Sequence, residues 1–209
     1  MAKQKSLAIR QSILDSAIEV FAKTGFYKAK AIEIAHKANI AVGTIYNYFR
    51  NKDDILIAIF KERIGALSAS LKEMLKTIEH PDDKLAAILE TTLTTMENDR
   101  ELAEVVTIEL RQSSKFFTST AMEAVIEFLD IITDVIREGQ RKGIYRDSID
   151  ARVVALVVLG SFENLLHAWV LSSKVPALKE KYDISLEEGK AVLRRLLKEG
   201  LRCDSGGTA

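Results

Sequence analysis

A chain of 209 residues with 47% hydrophobic and 29% charged side chains is ordinary for a soluble protein and long enough to bury a substantial core in one or two domains. Its one cysteine, Cys203, excludes an intramolecular disulfide and suits a reducing compartment, and its longest apolar stretch, Val153–Gly160, is too short to span a bilayer. The formal net charge of zero is unevenly spread: residues 1–52 hold 9 Lys/Arg against 3 Asp/Glu, which leaves 21 against 27 for the rest. That asymmetry fits a small nucleic-acid-binding module on an acidic remainder, although a basic face is also what any solvated surface offers.

Two prolines, ten glycines and few alternating β-branched runs point to an all-α fold. Met1–Ser6 reads as a short, disordered basic arm, with no apolar leader region across Met1–Gln11, so a cytoplasmic chain is expected. The first helix spans Leu7–Thr24, with Ile9, Ile13, Leu14, Ala17, Ile18 and Phe21 at three- and four-residue steps. Gly25 suits a left-handed C-cap. A second helix runs over Lys30–Ala38 and a third over Val42–Phe49, with Asn39–Ala41 as the turn and Ala35 and Gly43 small enough for a close crossing. Asn51 caps a fourth helix, Lys52 to about Glu79, roughly 40 Å long, with one apolar stripe and Asp53 and Asp54 in its first turn.

A fifth helix opens at Pro81 and reaches about Asn98, and a sixth covers about Arg100–Gln112. The seventh is long and apolar-rich, about Phe116–Gly139. The eighth, about Ile149–Ser172, is apolar on both sides. Val154, Val158, Phe162, Leu165 and Trp169 form one face, and Val153, Leu156, Val157, Gly160 and Leu171 the other. The ninth opens on the capping box Ser185-Leu186-Glu187-Glu188. A helix that is apolar on both sides needs cover beyond its own core, which one subunit can hardly supply.

Ala41–Phe49, AVGTIYNYF, has what a recognition helix needs: a bare backbone and short polar side chains at its start, and aromatic hydroxyls that reach phosphates. Tyr46 and Tyr48 are two residues apart and cannot share one face, so at least one points outward, whereas Phe49 reads as core.

The run Gly25-Phe26, Ile34-Ala35, Ala38 to Phe49 and Asn51 to Leu56 resembles the N-terminal domain of TetR-family transcriptional regulators over about residues 9–60. The resemblance implies a three-helix helix-turn-helix DNA-binding domain over 1–52. A long fourth helix would join it to a helical ligand-binding and dimerisation domain over 53–209. It implies phosphate contacts from Lys28, Lys30, Lys52 and the start of the third helix. Base readout would come from Ala41, Val42, Gly43, Thr44, Tyr46, Asn47 and Tyr48, with Asn47 suited to adenine and Val42 and Thr44 to a thymine methyl. The chain departs from the family where Ala29 and Lys30 replace the usual hydroxyl residues and where Ala41 replaces a frequent Ser, so Lys28 and Lys30 take over that phosphate contact by charge. In this family the last two long helices form a four-helix dimer interface, here the eighth and ninth, and a dimer would read a near-palindrome.

No two of His36, His80 and His167 stand at metal-ligand spacing. No phosphate loop or nucleophile elbow is present, so neither an enzyme, a metal site nor a cofactor is expected. The effector pocket is expected among Leu93, Met96, Val106, Leu110, Arg111, Phe128, Ile132, Phe162, Leu166 and Trp169. Glu109–Ser113, together with Gly43–Lys52, resembles the branch of the family that represses fatty-acid degradation, whose members leave DNA when a long-chain acyl-CoA binds. Arg111 would then meet a phosphate or carboxylate, or else pair with a neighbouring Glu. The rivals are a regulator of multidrug efflux, against which the few aromatics of the pocket helices speak, and a DNA-associated interaction protein outside transcription.

Overall fold

The computed structural model describes residues 2–109, 120–182 and 185–203. Ten α-helices and one π-helical turn make up the described chain. Its one departure from helix and coil is a single antiparallel bridge between Tyr145 and Arg202. The chain divides into two compact units, Met1–Gly65 with Asp99–Glu123, and Ala66–Asn98 with Ala124–Ala209. A boundary at residue 52 therefore falls inside the first unit, because a later segment returns to pack on the first helix.

In the first unit, α1 (Ala2–Thr24) buries Ile13, Leu14, Ala17, Ile18 and Phe21 on one face. It begins at Ala2, so the basic arm expected to be disordered continues the helix instead. Ser6 Oγ lies 3.2 Å from the Tyr48 hydroxyl. Gly25 ends α1 at φ 79°, and its N–H donates to the Phe21 carbonyl at 2.8 Å. Only glycine adopts that conformation without strain. α2 (Ala31–Lys37) is opened by the Glu33 carboxylate, which accepts from the Lys30 N–H at 2.8 Å. Asn39 turns the chain at φ 54°, and α3 (Val42–Tyr46) follows, shorter than the pattern predicts, with Ile45 buried beside Ile34 and Ala35 in the unit's core.

α4 (Lys52–Leu75) is opened by Asn51, whose side chain accepts from the Asp54 N–H at 2.9 Å. Its residues up to 65 belong to the first unit and bury Ile55, Leu56, Ile59 and Phe60. Arg10 pairs with Glu62, and Arg63 with Asp15, which ties α1 to α4. The Arg10 guanidinium also sits 5.2 Å from the centroid of the buried Phe49 ring. α6 (Arg100–Glu104) is capped by Asp99 and packs on α1. The helix expected to run to Gln112 gives way at once to the π-helical turn Val105–Glu109.

The second unit holds the rest of α4, α5 (Pro81–Asn98), α7 (Ala121–Arg141) from residue 124, α8 (Ala151–Ser172), α9 (Pro176–Tyr182) and α10 (Leu186–Leu201). α9 carries no strong apolar period and was not foreseen. It follows α8 and precedes the capping box that Ser185 and Glu188 form as the sequence indicates. α10 packs on α5 and α8. Gly189 allows that approach, since a methyl there would lie 2.8 Å from the Leu165 Cδ2. Tyr145 is fully buried against Gly139, and its hydroxyl donates to Asp82 at 2.9 Å. Arg202 donates to the same carboxylate at 2.7 Å. Burial alone would raise Asp82, but the hydrogen bonds from Arg202 and Tyr145 outweigh it and hold the carboxyl below its ordinary value. One carboxylate thus ties the start of α5 to the segment after α7 and to the end of α10.

Candidate DNA interface and effector unit

The turn between α2 and α3 and the start of α3 are where an approaching molecule meets little side chain. A methyl placed on Gly43 would find no atom within 4 Å. Gly43 therefore has no role in a close crossing with α2, as its size suggested. Its bareness faces outward, as direct approach of a groove edge requires. Around it Ala41, Tyr46 and Asn47 are exposed, Tyr46 by 57%, and Val42 and Thr44 are half-buried. Tyr48 is half-buried, with its hydroxyl at Ser6, so of the two tyrosines Tyr46 is the outward one. Phe49 is core, as read from the sequence.

Lys28 and Lys30 are exposed and stand outside every ion pair among the described residues. Lys37 is held by Glu19, whose carboxylate hydrogen-bonds it and raises its pKa, so its charge is locally matched. Lys52, expected as an exposed phosphate contact, is half-buried in the DNA-free chain. Its ammonium donates to the carbonyls of Phe26, Tyr27 and Ala29 at 2.7, 3.0 and 2.8 Å and lies 5.0 Å from the centroid of the Phe26 ring. An ammonium has three protons, and all three are engaged. Tyr27, 71% exposed, and Ile32, 61% exposed, are surface residues of the same module that the sequence reading did not single out. The only signal for them was their place in or just after the turn that follows Gly25.

Of the expected effector residues, Leu93, Met96, Phe128, Ile132, Phe162 and Leu166 are all buried in the second unit, with the Phe128 and Phe162 rings edge-to-face at 6.1 Å. Trp169 is half-buried in that unit. Val106 is half-buried but belongs to the first unit, on the π-helical turn, because α6 leads the chain back to α1. Leu110 and Arg111 lie outside the described residues. Two buried hydroxyls of the second unit, Ser68 Oγ on α4 and Thr92 Oγ1 on α5, have no hydrogen-bond partner among the described residues.

α8 divides as its composition suggests. Val154, Val158, Phe162, Leu166 and Val170 are buried, while Val153, Leu156 and Val157 are 54–57% exposed. α10 continues the exposed apolar face with Val192 at 59% and Leu196 at 62%. Between the two helices runs a groove of about 620 Å³, lined by Val157, Gly160, Asn164, Leu165, Val192 and Leu196 among others. A methyl on Gly160 would meet nothing within 4 Å. Over its 22 residues α8 is long and apolar enough to cross a membrane by length and composition, which counting Val153–Gly160 alone missed. Its buried face, however, is part of the second unit's core, in contact with α5 and α10.

A helix-turn-helix with a bare recognition start, joined through α4 to a separate helical unit with an exposed apolar face, defines a DNA-binding regulator with a second, non-DNA domain. The comparisons agree. Residues 13–59 match the family described as bacterial regulatory proteins, tetR family, and residues 60–198 match the YsiA-like protein, C-terminal region. The fatty acid metabolism regulator protein of Bacillus subtilis is 32% identical over 182 residues, covering 87% of this chain and 90% of the relative. Among solved structures, the B. subtilis transcriptional regulator FadR in complex with stearoyl-CoA superposes with a TM-score of 0.80 at 31% identity, over 92% of this chain and 99% of that one. The fatty acid degradation regulator FadR of Bacillus halodurans gives a TM-score of 0.80 at 29% identity with the same coverage. The chain belongs to the TetR family of transcriptional regulators, and these relatives are regulators rather than enzymes.

Proposed function

We propose that the protein is a cytoplasmic homodimeric repressor that binds a near-palindromic operator and releases it when a long-chain acyl-CoA binds. The observation that carries this reading is the similarity, over nine-tenths of the chain, to a regulator solved with stearoyl-CoA. Lys28 and Lys30 neutralise phosphates, and Gly43, Thr44, Tyr46 and Asn47 enter the major groove. The exposed apolar faces of α8 and α10 meet their counterparts in a second copy, which sets two recognition helices about one turn of DNA apart.

The acyl chain is taken up by the aliphatic interior of the second unit, where Ile132, Leu93 and Leu166 supply apolar surface. α4 is continuous from Lys52 to Leu75, so a shift of its later part reaches the DNA-binding unit along one helix. The ligand moves the equilibrium only by its differential affinity for the two states, about 1–3 kcal/mol of coupling, or roughly 5- to 150-fold in operator affinity. Titrating acyl-CoAs of increasing chain length against a labelled operator tests this. Release is expected to strengthen with chain length. No release at any length, or equal release by CoA without an acyl chain, refutes the acyl-chain reading and leaves DNA binding standing.

A further inference from the structure

We propose that Lys52 acts on DNA as a positioning residue and not as a phosphate contact: it pins the turn between α1 and α2 to the first residue of α4. The proposal rests on the DNA-binding reading above and adds a route by which α4 governs the basic turn. Three carbonyls, of Phe26, Tyr27 and Ala29, converge on one ammonium within 2.7–3.0 Å. The Phe26 ring, itself edge-on to Phe21 at 5.4 Å and to Tyr27 at 5.7 Å, closes another side of the cation. Three converging carbonyls form a cage for a point charge with three protons.

The consequence for DNA binding follows from what the turn carries. Lys28 sits between two of the pinned carbonyls, and Lys30 follows the third and is the N-cap of α2. Both are exposed, and so is Tyr27. Lys52 is itself the first residue of α4. A displacement of the start of α4 therefore carries the ammonium with it, and the carbonyls that it holds move or are released. The phosphate-directed lysines are then delivered or withdrawn by α4 without any change in α3. Arginine cannot replace this lysine. Its planar fork spreads five donors over a rigid frame and suits a phosphate better than three converging carbonyls.

The test uses Lys52→Met, Lys52→Arg and the unaltered protein, with a duplex selected from a random pool by the unaltered protein as probe. In the DNA-free variants, amide exchange across residues 26–31 accelerates while exchange in α1 and α3 is unchanged. Both variants bind the duplex about tenfold or more weakly for each turn residue that must be re-ordered, and the slope of log affinity against log salt stays the same. A direct phosphate contact gives the opposite pattern: exchange unchanged, a slope smaller by about 0.9 in Lys52→Met, and near-normal binding by Lys52→Arg. That result overturns the proposal. Should a variant fail to fold, the unaltered protein decides. An ammonium resonance of Lys52 that exchanges slowly without DNA and is unmoved by it supports the pin, and one that is protected only on DNA refutes it. The exchange and ammonium measurements need no operator, so failure of the DNA-binding reading is separable from failure of the pin.

Discussion

Leu156→Ala tests the dimer by the surface that a second copy must cover. Leu156 is 57% exposed in the single chain, so the substitution removes little that holds the subunit together. Leu to Ala deletes three carbon atoms, worth about 2.4 kcal/mol when fully buried at ~0.8 kcal/mol each. If the partner covers the exposed 57%, the loss is about 1.4 kcal/mol per copy. A two-fold interface contains the residue twice, so the dimer loses about 3 kcal/mol, roughly a hundredfold in its dissociation constant. Leu196, 62% exposed on α10, gives the same figure by the same reasoning. Sedimentation equilibrium over nanomolar to micromolar concentrations measures the constant, and thermal unfolding at fixed concentration checks the fold. The unaltered protein is expected to be a dimer at micromolar concentration, and Leu156→Ala to dissociate at about hundredfold higher concentration. An unaltered protein that sediments as a monomer in that range, or a variant with an unchanged constant, refutes the assignment of this face.

Further expectations separate folding from recognition. Gly43→Gln should leave the melting temperature unchanged or slightly raised, because no atom lies within 4 Å of the new Cβ, yet specific operator binding should fall at least tenfold in a fluorescence anisotropy titration. Tyr46→Ala should weaken the same binding without loss of helix by circular dichroism. Gly139→Ala should destabilise by about 1–3 kcal/mol or more in urea unfolding, since its methyl would sit 2.0 Å from the Tyr145 ring. Because hydrogen bonds depress Asp82 in the folded state, its contribution is fully present above the ordinary aspartate pKa and is lost as pH falls through the lowered folded value. Tyr145→Phe removes one of those donors, so acid unfolding followed by circular dichroism should begin at higher pH than in the unaltered protein.

Much of this protein is legible in local pattern. The Gly25 stop, the Asn51 cap, the Pro81 start and the Ser185–Glu188 box each depend on residues within one turn of one another, so the sequence alone places them. The two-faced α8 is equally local, because composition around a helix reports which sides need cover. Phe49 as core was read from the sequence, and helical spacing says that Tyr46 and Tyr48 cannot share a face, while the contact of Tyr48 with Ser6 is what leaves Tyr46 as the outward one.

What local pattern left open has a common cause. Lys52 stands at a position where family pattern suggests a phosphate contact, but its partners lie 23 to 26 residues earlier and exist only once the turn has folded over the start of α4. The return of α6 to α1, which places Val106 in the first compact unit, is likewise a contact between segments some 80 residues apart. Gly43 could have been small for packing or bare for approach, and only the empty space beside it decides. Residue type and spacing fix what a segment can do locally. Which of its hydrogen-bonding and packing capacities are used internally, and which are left facing outward, is settled when distant segments meet, because a proton or a surface already engaged within the fold is unavailable to a ligand.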